Sequence, residues 1–294
     1  MSQLKGTGVA LVTPFDKDKK VDIEALHKLV NYVIDGGVDY LVVMGTTAEN
    51  PVLTKDEKEL VLKTVIEANH QRKPIVYGIG GNDTQKVTDE INQKNNHPDI
   101  CAFLSVTPYY NKPNQKGLYA HFASIAHVSK KPLILYNVPG RTGINMSAET
   151  TLKLAHDFSN IVAIKEASGS FDQIMEIVEK KPHAFMVISG DDGLTLPLIS
   201  IGVEGVISVV ANAIPKPFSQ MVKLSLNNQF AEAKKLHYQI LEFCRLAFAE
   251  GNPVGIKNAL HHLNIIQNEF RLPLVPASEE LSLKIKTWLN NNPL

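Results

Sequence analysis

The chain has 294 residues, 44% of them hydrophobic, enough for two average domains or one barrel-sized domain. Thirty Lys and Arg balance thirty Asp and Glu, so no net field draws the chain to nucleic acid or an anionic membrane surface; a small, locally recognised partner fits better. Cys101 and Cys244 lack the spacing of a disulfide framework or zinc knuckle, the start MSQLKGTGVALVTPF lacks a signal-peptide pattern, and no apolar run approaches ~18 residues, so we expect a cytoplasmic protein with reduced thiols.

Eight short apolar runs predict strands at 8–14, 40–47, 74–80, 102–108, 132–139, 161–168, 185–190 and 205–212. Between the first two, DIEALHKLVNYVIDGG (22–37) has helical period, with Ile23, Leu26, Leu29, Val30 and Val33 on one face and a glycine pair as the stop. The next helical segment, 53–70, opens with Thr54 followed three residues later by Glu57, the capping-box spacing. Strand and helix alternate with a repeat of roughly 20–35 residues, the pattern of βαβ units in a parallel sheet. Eight such units close a (β/α)8 TIM barrel, an α/β fold, better than they fill an open doubly wound sheet. After Asn212 the strand signals stop. Residues 214–250 read as helices broken at Asn227–Asn228, followed by a short helix at 253–262 and a last one at 278–289. We therefore expect a catalytic barrel over 1–220 and a helical region over 221–294 packed against it, with no flexible linker between.

Barrels of this kind carry their chemistry at the C-terminal ends of the strands. Those ends hold Thr46 and Thr47, Tyr109 and Tyr110, Tyr136, Arg141, Lys165, and the pair Asp191–Asp192. Alternation along IVAIKEAS (161–168) puts Ala163 and Lys165 on one face and Val162 and Ile164 on the other, so Lys165 points into the barrel mouth if the aliphatic pair meets the helices. A lysine desolvated in such a pocket is a neutral nucleophile able to form a Schiff base with a ketone. The other readings of Lys165 are a structural ion pair, for which Glu166 is the nearest carboxylate, and phosphate binding. Tyr136 ends the neighbouring strand and is either an acid/base for Schiff-base chemistry or a core tyrosine bonded to backbone. Thr46 and Thr47 offer hydroxyls and successive N–H groups suited to a small carboxylate, or form an ordinary loop. Arg141, between glycines in GRTG, is placed for bidentate carboxylate capture or is a solvated surface arginine. Asp191–Asp192 has no accompanying histidine spacing, which favours a helix cap over a metal site, and the ten histidines show no HExxH arrangement. GIGGND (78–83) matches a dinucleotide loop only at its first glycines, because Asp83 stands where the third is required.

GTTAE (45–49), SVTPYYNKP (105–113), YNVPGRTG (136–143), IVAIKEAS (161–168), SGDD (189–192) and GVISVVAN (205–212), in this order, resemble the dihydrodipicolinate synthase and N-acetylneuraminate lyase superfamily. The resemblance runs from Gly6 to the C-terminus and lies with the synthase branch of lysine and diaminopimelate biosynthesis. It implies that Lys165 forms a Schiff base with pyruvate, that Tyr136 gives and takes the proton, and that Thr46 and Tyr110 complete a relay with it. It further implies Thr47, Ile207 through its backbone, and Gly190 as pyruvate-binding residues, and Arg141 as the holder of the carboxylate of L-aspartate 4-semialdehyde. No metal and no cofactor beyond the covalent pyruvate is implied. Tyr110 would enter from a neighbouring subunit of a homotetramer built as a dimer of dimers.

Within the superfamily the alternative is a lyase acting on N-acetylneuraminate or a 2-keto-3-deoxy sugar acid; Arg141 favours the synthase, because a polyol chain needs hydroxyl-binding groups there. A non-catalytic sensor using the same pocket is a third reading. Two departures from the family pattern stand out. Ala48 replaces a glycine, which a negative φ tolerates. Lys55, Lys58 and Lys86 replace two histidines and an acid at the family's lysine feedback site, although Asn82 and Tyr109 match, so we expect weak or absent inhibition by lysine.

Overall fold

The computed structural model describes residues 2–292, and eight parallel strands close in sequence order into a barrel. The strands are β1 (Gly6–Ala10), β2 (Tyr40–Val43), β3 (Ile75–Gly78), β4 (Ile100–Val106), β5 (Leu133–Asn137), β6 (Ile161–Glu166), β7 (Met186–Ser189) and β8 (Gly205–Ser208). The helices up to the end of the barrel ring are α1 (Ile23–Asp35), α2 (Lys55–Asn69), α3 (Thr84–Lys94), α4 (Gln115–Val128), α5 (Pro139–Thr142), α6 (Ala148–Asp157), α7 (Phe171–Lys180), α8 (Thr195–Ser200) and α9 (Pro215–Leu226). Beyond them lie α10 (Phe230–Phe248), α11 (Val254–His262) and α12 (Glu279–Asn291). The (β/α)8 barrel and its helical tail are as the sequence led us to expect. Helix α9 packs on α1, α8, β1 and β8 and runs through residue 220.

Several sequence signals act as anticipated. The Asp22 carboxylate caps α1 by accepting from the Ala25 N–H at 3.0 Å, and Leu26, Leu29, Val30 and Val33 form its buried stripe; Ile23, placed on that stripe by spacing, is 42% exposed because it lies in the first turn, outside the core. The capping box of α2 is complete: the Glu57 N–H donates to Thr54 Oγ1 at 3.3 Å and the Thr54 N–H to Glu57 Oε2 at 2.9 Å.

The strands are shorter than their apolar runs, for a definite reason at the mouth. Past Ala10 one backbone bond to β2 remains, Leu11 N–H to Val42 O, and the other edge of the strand is continued by a side chain, Asn212, whose Nδ2 donates to Ala10 O and whose Oδ1 accepts from Val12 N. Past Ser208 the N–H groups of Val209 and Val210 turn to the Asp192 carboxylate, and residues 210–212 wind into a 3-10 turn. Polar side chains thus replace the sheet where the runs remain apolar.

The apolar residues form two layers. The inner one fills the barrel with Tyr40, Val42, Val76, Leu104, Ile134, Tyr136, Ala163, Ile188 and Ile207; the outer one lies between strands and helices. Ala163 and Lys165 alternate with Ile164 as expected, but Val162 does not follow. The β5–β6 register shifts so that Leu133 pairs with Ile161 and Ile134 with Ala163, and the bulge leaves Val162 in the inner layer beside Ala163. Strict period 2 holds only beyond the bulge.

In the outer layer His121 on α4 is 4% exposed; its Nδ1 shares a hydrogen bond with Thr84 Oγ1 at 2.9 Å and its Nε2 has no partner. Burial lowers its pKa from 6.5 to about 4. Between those values the unfolded chain binds a proton that the folded chain refuses, so stability falls as the pH drops from 6.5 to 4, by roughly 3 kcal/mol for this group. Melting temperatures across that window should fall less steeply in His121→Gln than in the parent; equal slopes would assign the loss to other groups.

Candidate active site

A cavity of about 430 Å³ opens at the C-terminal mouth of the barrel, lined by Thr46, Tyr136, Arg141 and Lys165 together with Tyr109 and Asn252. The cross-strand register pairs Tyr136 with Lys165, and both side chains face the inner layer. The Lys165 ammonium lies 4.3 Å from the centroid of the Tyr136 ring and the residue is 5% exposed. Among the described residues no carboxylate lies within ion-pair distance of it. Glu166, the alternative counter-ion, faces the other way, where its carboxylate accepts from Asn137 Nδ2 at 3.1 and 3.2 Å, Ser168 N–H at 2.8 Å and Gln173 Nε2 at 2.9 Å. Burial pushes the Glu166 carboxyl above the usual carboxylate range, against the pull of these hydrogen bonds. The structural-pair reading of Lys165 is therefore set aside.

Gly190 stands against the lysine. Its N–H donates to Glu166 O at 2.7 Å, and a Cβ there would lie 2.7 Å from Ala167 Cβ and 3.1 Å from Lys165 Cε. The role of Gly190 visible in the structure is to leave room for the lysine stem. Thr46 and Thr47 sit in a 3-10 turn, Thr46–Ala48, after β2. Ala48 lies outside the left-handed region, so its methyl is tolerated, and the left-handed residue is the next one, Glu49, with φ 55°. The Thr47 hydroxyl accepts from Asn252 Nδ2 at 3.0 Å, while Arg141 donates from Nη2 to the Asn252 carbonyl at 3.2 Å. Asn252 thus links the two elements expected to hold carboxylates. An amine, a phenol, a hydroxyl and a guanidinium converging on one largely apolar cavity can bind a small keto acid and activate its carbonyl.

The comparisons with known proteins agree with this geometry. A family model for the dihydrodipicolinate synthetase family matches residues 3–292. The chain belongs to the dihydrodipicolinate synthetase family. It is 53% identical over 285 residues to the 4-hydroxy-tetrahydrodipicolinate synthase of Flavobacterium psychrophilum, covering 97% of each chain. Among solved structures it resembles the chloride-inhibited dihydrodipicolinate synthase of Acinetobacter baumannii complexed with pyruvate, at 38% identity, TM-score 0.94 and 98% coverage of each chain. It also resembles the dihydrodipicolinate synthase of Cyanidioschyzon merolae with lysine bound, at 35% identity, TM-score 0.93 and the same coverage. The family is one of lyase and synthase enzymes, and these relatives favour the synthase over the sugar-acid lyase.

Four of the family's expected site residues lie apart from the cavity wall of a single chain: Thr47, whose hydroxyl is turned to Asn252, Gly190, Tyr110 and Ile207. Tyr110 is 85% exposed with φ 70°, and its neighbour Tyr109 lines the cavity instead. Ile207 is buried in the inner layer on β8, opposite Gly8. Asp191 and Asp192 divide their work. Asp191 Oδ1 accepts from Leu194 N–H at 3.1 Å just before α8, whereas Asp192, fully buried, takes the Ser208 hydroxyl and the N–H groups after β8. Desolvation raises Asp192 to about 6.

Sequence reasoning missed four residues around the mouth. Asn252 came from a tail read only as helix, and Glu49 was quoted in a motif without a role. Arg271, in the Pro-rich stretch, grips Glu57 with two hydrogen bonds of 2.5 and 2.7 Å and reaches the carbonyls of Lys19 and Val52. This holds Glu57 down to about 2. Lys257 is completely buried on α11. Its signal was available: GIKNAL (255–260) is another apolar run interrupted by a lysine.

Because a Cβ at position 190 would press on Ala167 Cβ and on the Lys165 stem, Gly190→Ala should shift the end of β6 and lower synthase turnover by at least about tenfold. Full activity in that variant would show that Lys165 has room to spare.

Proposed function

We propose that this chain is a cytoplasmic 4-hydroxy-tetrahydrodipicolinate synthase that condenses pyruvate with L-aspartate 4-semialdehyde through a Schiff base on Lys165. The observation that carries the proposal is the cross-strand pair at the mouth, a lysine 4.3 Å from a tyrosine ring with no counter-ion among the described residues. The Lys165 amine attacks the pyruvate ketone, the carbinolamine loses water, and a proton leaves the methyl group to give the enamine. Tyr136 supplies and receives those protons, in a relay with Thr46 and with Tyr110 of a neighbouring subunit. The enamine carbon adds to the aldehyde, and the amine of the second substrate then displaces Lys165 as the ring closes, regenerating the free lysine.

The carboxylate of pyruvate sits at Thr46 and Thr47, whose N–H groups make no hydrogen bond within the described chain, and against the backbone at Ile207 and Gly190. Arg141 holds the carboxylate of the semialdehyde. No metal or other cofactor is needed. The 85% exposure of Tyr110 supports a relay completed by a second copy of the chain, in a tetramer made of two such dimers.

Incubation with pyruvate and borohydride should add one reduced pyruvate at Lys165, and Lys165→Ala should abolish both adduct and turnover; turnover near the parent level would defeat the assignment. Tyr136→Phe should cost about 10²–10⁴ in rate with the fold intact. A coupled assay with pyruvate and aspartate semialdehyde, run beside sialic acid, decides between synthase and lyase.

Lys55, Lys58 and Lys86 line a second cavity of about 290 Å³ between α2 and α3 together with Lys94 and the carboxylates of Glu59, Asp89 and Glu90, and Lys58 borders the mouth cavity as well. With Lys86 in place of the family's acid, the inhibitor's ammonium loses that partner and meets a cation there, so millimolar lysine should leave the steady-state rate unchanged; inhibition at or below a millimolar constant would refute this.

A further inference from the structure

The turn carrying Thr46 and Thr47 is bracketed by two non-glycine residues in the left-handed region, Met44 at φ 61° and Glu49 at φ 55°. Such residues persist only where their surroundings over-determine them. Four contacts do so here. Asn50 Nδ2 donates to Met44 O at 2.8 Å, the Thr13 hydroxyl donates to Ala48 O at 2.7 Å, and Asn252 Nδ2 holds the Thr47 hydroxyl. The fourth is an ion pair between Lys257 Nζ and Glu49 Oε1 at 2.6 Å, with the two side chains 0% and 1% exposed.

That pair is unlike the other twelve ion pairs among the described residues, each of which has at least one partly exposed partner. The Lys257 ammonium lies 4.4 Å from the Phe15 ring and 4.5 Å from the Phe270 ring, so aromatic faces supply the rest of its surroundings. A buried ion pair is a poor device for stability alone, since well-packed apolar groups usually do as well; its distinctive property is that it fixes position. Glu49 is also on the cavity wall, two residues after Thr47. Without its cation, Glu49 would hold an uncompensated buried charge and escape it by leaving the left-handed conformation, carrying the turn with it.

We infer that Lys257, through Glu49, is a positioning residue for the carboxylate seat at Thr46 and Thr47. Helix α11 and Asn252, two residues before it, then hold the turn at two points, Lys257 on Glu49 and Asn252 on Thr47. The part of this inference that concerns a ligand rests on pyruvate occupying that seat.

The test uses the full-length protein, with Lys257→Met and, because a single change leaves Glu49 unpaired in the core, the double variant Glu49→Leu with Lys257→Met. Two readouts are taken: amide hydrogen exchange of residues 44–50, which needs no substrate, and the pyruvate concentration that half-saturates borohydride trapping. In the folded double variant we expect exchange in that segment at least about tenfold faster and half-saturating pyruvate raised at least about tenfold. Unchanged exchange overturns the inference. So does faster exchange with unchanged pyruvate saturation, provided the parent traps pyruvate. If the parent traps none, the assigned chemistry fails, and the exchange alone decides whether Lys257 holds the turn.

Discussion

Tyr136 and Lys165 are partners across a sheet that has no edge, and everything at the mouth depends on that register. A slip of one residue between β5 and β6 would turn Lys165 toward the helices, because successive side chains in a strand face opposite ways. The next pair along, Asn137 with Glu166, secures the register from the outer face by two hydrogen bonds, and Gln173 on α7 and Ser168 complete the carboxylate's partners. Leaving that buried carboxylate without one partner costs about 1–3 kcal/mol, so a slip is opposed from the side away from the chemistry. The reacting pair and the pair that fixes it are thus adjacent residues with opposite orientations, which explains why a lysine beside a glutamate need not form an ion pair.

The same division recurs where strands end. Asp192 and Asn212 take backbone groups that the ladder leaves free, and both are wholly or almost wholly buried. Each stops a strand at a set residue and so sets the height at which the following loop begins. Polar groups at the strand ends therefore help to fix the shape of the mouth before any ligand arrives, and the side chains proposed to meet substrate, Lys165, Tyr136, Thr46 and Arg141, line the open volume.

Much of this was legible because the relevant signals are periodic or punctuated. Eight apolar runs with helical spacers gave the barrel, and alternation from Ala163 onward gave the direction of Lys165. What escaped was whatever depends on a partner remote in sequence. The bulge at Val162 arises from pairing with β5, and the true ends of β1 and β8 from side chains about 200 and 17 residues away. Asn252 carries no local pattern at all, since its function is to meet Thr47 and Arg141 after the chain has returned to the mouth. Tyr110 is a different case. Its 85% exposure leaves it without a surrounding surface in one chain, and the proposed relay sets it against a second copy.

Two lysines interrupt apolar runs, and their fates differ because of what the fold places opposite each ammonium. Lys165 meets a tyrosine ring and open volume, with no counter-ion among the described residues, so its amine is available to a carbonyl. Lys257 meets Glu49 and two aromatic faces; burial pulls its pKa from 10.5 to about 8 while the carboxylate pulls the other way, and its nitrogen is enclosed. A lysine in an apolar run therefore signals a site without saying which kind. The deciding variable is the partner, and for Lys257 the partner belongs to the turn that carries Thr46 and Thr47. Because Asn252, Pro253, Arg271, Pro273 and Leu274 also line the cavity, the helical tail forms one of its walls, and the barrel strands alone do not enclose the volume in which the reaction is proposed to occur.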